Sequence, residues 1–133
     1  MACNSEEPQR KQINPNGDSE LAILMRDMFE EGMVVKQSVI NGKDPKMKLP
    51  YHHINTATPT EEGKNATTEY QLFAKAYEAS IERFKNASDA DRPAAYHNMV
   101  DNCMNCHDHM CRGPMVRIKK MYLSDEEMKT ALN

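Results

Sequence analysis

Apolar side chains recur three and four positions apart in separate stretches of this chain: Leu21 to Val39, Tyr70 to Phe84 and Tyr96 to Met110. That spacing keeps them on one face of an α-helix and so predicts a domain built by packing helices on one another. The first stretch places Leu21, Met25, Met28, Gly32, Val35 and Val39 in line, with Asp18 or Ser19 as a cap and Gly42 as a stop. The next, from Thr67, aligns Tyr70, Phe73, Tyr77, Ile81 and Phe84 and supplies the aromatic side of a core. The last aligns Tyr96, Met99, Val100, Cys103, His107 and Met110 up to Gly113-Pro114, with Ser88 or Asp89 as a cap and Pro93 tolerated in the first turn. Eleven methionines and few β-branched runs favour the same all-α class, because unbranched side chains lose little rotamer freedom in a helix.

The intervening sequence sets the organisation. Pro45, Pro50, Pro59 and Gly63 break the stretch from Lys43 to Ala66, which is too long for a plain connection, so a short or irregular second helix is expected over Leu49 to Asn55. Residues 1–17 are polar, hold two prolines and lack an apolar period, and read as a flexible N-terminal leader before one domain over residues 18–133. Ser124-Asp-Glu-Glu127 has the form of a capping box, and the helix it opens brings Met128 and Leu132 back toward the core as a C-terminal extension. A net charge of −3 with dispersed positive residues excludes the basic surface that a nucleic-acid partner needs. No apolar run approaches the length that crosses a bilayer.

Cys103-Met104-Asn105-Cys106-His107 is the pattern C-x-x-C-H, the attachment signature of a c-type heme. Helix geometry explains the spacing, since positions three and four apart share a face. Two thiols then reach the two vinyl groups while the imidazole meets the iron. Two other chemistries use the same atoms. Zinc takes thiolate and imidazole ligands, here Cys103, Cys106, Cys111 and His107 or His109, although ligands from a single helix surround an ion poorly. A thioredoxin-like pair also fits C-x-x-C but requires a βαβ context. No acid–base pair or activated nucleophile marks an enzyme.

A C-x-x-C-H near the end of the final long helix, a Met-bearing first helix and a Pro-rich crossing before an aromatic helix resemble the class II c-type cytochromes, the cytochrome c prime family and its low-spin relatives. The similarity spans about residues 19–112 and rests on one specific motif, Cys103 to His107. It implies an antiparallel four-helix bundle holding one heme c, with Cys103 and Cys106 as attachment residues and His107 as an axial iron ligand. Members of that family carry either a methionine sixth ligand from the first helix or an open sixth position. The Leu24-Met25-Arg26 step is similar to the Met-Lys step of the low-spin members and favours Met25, with Met28 one turn further as the alternative. Both methionines equally suit plain core packing.

His52 and His53 in the crossing, His97, and His109 are expected to be structural or solvated, and Cys111 a small buried thiol. Arg112, Arg117, Lys119 and Lys120 concentrate positive charge that suits heme propionates, an acidic redox partner or solvent equally. Covalent attachment implies maturation beyond the bacterial inner membrane, in the periplasm or outer envelope. Met1-Ala2 before Cys3 resembles a mature lipoprotein whose signal was replaced by a start codon, so lipidation of Cys3 would tether the domain. The expected function is one-electron transfer to an unidentified redox protein. The alternatives are a five-coordinate binder of NO or CO and a zinc-stapled helical module. The resemblance also makes a homodimer an expectation.

Overall fold

The computed structural model describes residues 18–133. The leader over residues 1–17, and Cys3 within it, lies outside the described residues. The described chain is all-α, with no strand among its residues. Its helices are α1 (Glu20–Ile40), α2 (Thr68–Lys85), α3 (Arg92–Met110), α4 (Met115–Ile118) and α5 (Asp125–Leu132), with 3-10 turns at Tyr51–Asn55, Lys64–Ala66 and Lys119–Met121.

Local signals set most of the ends. The Ser19 side chain accepts the Ala22 N–H to open α1, Thr67 accepts from Tyr70 to open α2, and both halves of the Ser124/Glu127 capping box are made at α5. Beyond α1, Gly42 turns at φ 69, a left-handed conformation that suits a residue without Cβ. The cap of α3 departs from expectation. It is Asp91 rather than Ser88 or Asp89, and the Ser88 hydroxyl donates to the Asp91 carboxylate instead.

The Pro-rich crossing has its helical turn at Tyr51–Asn55, inside the expected range. The Glu31 carboxylate accepts the Lys48 and Leu49 amides at 2.7 and 3.1 Å, which moors the entry of the crossing to α1. At its exit, Glu20 accepts the Thr58 N–H at 2.8 Å and the Leu21 N–H donates to the Thr58 carbonyl at 2.9 Å. The Tyr70 hydroxyl reaches across from α2 to the Ile54 carbonyl at 2.7 Å. A segment that lacks a regular ladder is thus held by side chains that satisfy its backbone.

The core joins Leu21, Leu24, Val35 and Val39 of α1, Tyr70, Tyr77, Ile81 and Phe84 of α2, and Tyr96, Met99 and Val100 of α3. Most of the predicted apolar faces are therefore the buried ones, and Phe84 meets Tyr96 with ring centroids 5.8 Å apart. Met25, Met28 and Phe73 lie only half-buried on those same faces. The turns through Met115–Met121 were not visible in the sequence, and they carry Ile118 and Met121 into the core. Met128 packs against the core as expected, but Leu132 is 58% exposed, because α5 runs to its end with only partly buried contacts.

Candidate functional site

The half-buried residues surround a cleft of about 830 Å³ of free space, part of it continuous with solvent. Its walls are mostly apolar: Met25, Met28 and Phe29 from α1, Tyr70, Phe73 and Tyr77 from α2, and Ile118 and Met121 from the C-terminal extension. Cys103, Cys106 and His107 from α3 all line it. Every residue singled out in the sequence for heme attachment or iron ligation therefore borders one cavity, whereas His109 and Cys111 of the zinc alternative do not. Met25 and Met28 both line it, so the placement does not choose between them.

The chemistry of this face follows from burial. His107 is 6% exposed, and burial holds its ring below the ordinary histidine pKa, opposed by its bond to the Cys111 carbonyl. That carbonyl, 2.9 Å from Nδ1, can only accept, so Nδ1 carries the proton and Nε2 keeps its lone pair. Nε2 has no hydrogen-bond partner among the described residues. A buried nitrogen with an oriented lone pair and a second nitrogen fixed by a carbonyl is how metal-ligating histidines are ordinarily set.

Cys103 and Cys106 are free. Burial, with the neighbouring Cys106 adding to it, pushes the Cys103 thiol up to about 12, and burial with Glu69 pushes Cys106 up to about 11. Redox-active cysteines ordinarily have depressed pKa values, and the shift here runs the other way. Cys111 is buried and disulfide-bonded, which corrects the expectation of a buried thiol. Among the described residues no group of three or more His, Cys, Asp or Glu side chains is placed to hold a metal ion, so the donor set required by the zinc alternative is not assembled there.

The remaining histidines are elsewhere. His52 is exposed and meets Glu78 at 2.6 Å, and His53 is exposed. His109 is exposed, bonded to the Asn105 carbonyl at 3.0 Å and set against the Phe73 ring. Arg112 pairs with Asp108 at 3.5 Å on the surface, while Arg117 turns to the cleft and lies over the Phe29 ring. Arg26, which sequence reading missed as a site residue, also borders the cleft and pairs with Asp18 at 2.7 Å. Its position beside Met25 was the only signal that could have found it. No protein-family model, curated protein or solved structure matches this chain.

Proposed function

We propose that this chain is a class II c-type cytochrome that carries one heme c and transfers single electrons. The observation that carries the reading is the juxtaposition of Cys103, Cys106 and His107 on one wall of an apolar cleft, with the His107 Nε2 lone pair left unpartnered. In this reading α1, the Tyr51–Asn55 turn, α2 and α3 are the members of an antiparallel four-helix bundle, the turn standing for a reduced second helix.

Cys103 and Cys106 would each add a thiol S–H across one vinyl group, the sulfur going to one carbon and the hydrogen to the other. His107 would ligate iron through Nε2 while the Cys111 carbonyl holds its ring orientation. Met25 is the proposed sixth ligand, from the facing α1 wall, with Met28 as its alternative. A thioether there favours a raised potential. Arg26 and Arg117, the guanidinium groups at the cleft, would meet the propionates. When bound, the heme supplies a reversible one-electron couple. The apolar walls of the cleft would lower the polarity around it and so tune its potential.

The same reading makes the protein a carrier rather than an enzyme. It puts the chain in a bacterial periplasm or outer envelope, with a redox protein as partner and a homodimer as its assembly. Spectra of protein matured with the heme-attachment machinery test the ligand set. Met25→Ala should convert a low-spin iron to high-spin and open it to carbon monoxide, whereas Met28→Ala should leave the spin state unchanged. A wild-type iron already high-spin would favour a five-coordinate NO or CO binder.

A further inference from the structure

His97 lies in the first half of α3, outside the cleft lining, where the chain after Met121 crosses the helix. Its Nε2 is 3.0 Å from the Leu123 N–H. A backbone amide only donates, so Nε2 must offer a lone pair and the ring must be neutral with its proton on Nδ1. Leu123 is buried, and loss of that acceptor would leave a buried donor unmatched.

Charged and titratable groups face this contact from each packed element. Asp101 of α3 accepts the Tyr122 hydroxyl at 2.6 Å and favours a protonated ring. Lys36 of α1 opposes it, donating to the Lys120 carbonyl at 2.9 Å and pairing with Glu127 of α5 at 3.6 Å. The Tyr122 ring stands edge-on to His97 at 5.2 Å, and Tyr96 donates to the Met121 carbonyl at 2.7 Å. Burial outweighs Asp101, so the ring sits below the ordinary histidine value. Beyond Leu123, α5 has no fully buried side chain, and only the part-buried Met128 and Ala131 hold it to the core by apolar contact.

We propose that His97 is a proton-operated latch on the C-terminal extension. Neutral, it holds Leu123 against α3. Protonated, it sets a donor against a donor, frees the Leu123 amide and releases the chain from Tyr122 to Leu132. Met121, which lines the cleft, loses its anchor on that side. Because the folded state favours the neutral ring, the latch contributes fully above the ordinary pKa of 6.5 and is lost as pH falls below it toward the lowered folded value. The inference does not depend on what occupies the cleft.

Amide hydrogen exchange on the full chain, corrected for intrinsic rates, tests it at about pH 7.5 and about pH 5. In the wild type, protection over residues 122–132 should fall about tenfold or more at the lower pH, while α2 keeps its protection. His97→Gln, whose Oε1 accepts but does not titrate, should hold residues 122–132 equally at both. Unchanged wild-type protection, loss of protection in α2 together with residues 122–132, or the same pH response in His97→Gln would overturn the proposal. Should that variant not fold, nitrogen NMR of the wild-type ring decides: a protonated Nε2 at about pH 7.5 overturns the latch, and a bare Nε2 whose protonation coincides with Leu123 amide release supports it.

Discussion

The two halves of α3 do opposite things with the same helical face. From Tyr96 to Val100 the face is closed: Tyr96, Met99 and Val100 are each at most 2% exposed, and the Tyr96 hydroxyl is partnered by the Met121 carbonyl. From Cys103 to His107 the face opens on the cleft, with two free thiols and a ring nitrogen that has no partner among the described residues. The C-terminal extension meets both halves, since Met121 binds Tyr96 through its carbonyl and lines the cleft with its side chain. The closed half is given to packing, and the open half leaves polar atoms unmatched.

Truncation separates the halves most sharply. Tyr96→Ala removes a fully buried aromatic and should cost about 3–5 kcal/mol in urea unfolding. Phe73→Ala, on the half-open cleft wall, should cost about 1–2 kcal/mol, because its ring has less burial to lose. Equal losses would mean that the cleft half is as tightly closed as the other.

A smaller effect is expected where the extension begins α5. Ser124→Ala deletes one side of the capping box and should cost about 1 kcal/mol, with protection lost first in α5. Loss spread evenly over α2 and α3 would show that the extension is not a separable clasp.

The smallest net change is expected at Gly32, where the halves meet through α1. A Cβ there would collide with the terminal methyl of Met121, a flexible group that can swing aside. Overpacking opposes the gain of about 1 kcal/mol from replacing glycine within a helix, so Gly32→Ala should unfold within about 1 kcal/mol of the wild type. A loss of several kcal/mol in the same urea titration would show that Met121 is locked rather than adaptable.

What the sequence made legible was local or periodic. Ser19 and Ser124 cap as their side chains dictate, and Cys103, Cys106 and His107 share a wall because helical spacing puts them there. Met25 and Met28 were readable from the same period. Contacts between residues distant in sequence were not. Leu123 finds its acceptor on His97, 26 residues away, and the Tyr70 hydroxyl finds Ile54 in an irregular turn. Arg26 gave no periodic signal because it lies beside the apolar stripe rather than on it. The same limit hid the turns through Met115–Met121, which are held in place by tertiary burial of Ile118 and Met121.

If the open half of α3 takes a covalent heme as proposed, the attachment is directly measurable. Full-length protein produced with the heme-attachment machinery, denatured and run on a gel, tests it directly through heme-dependent peroxidase staining and the intact mass. The wild type should give one stained band whose mass exceeds that of the chain by a single heme, and no stain should remain after Cys103→Ser with Cys106→Ser. An unstained wild-type band at the mass of the bare chain, from cells in which the same machinery matures another c-type cytochrome, would contradict it.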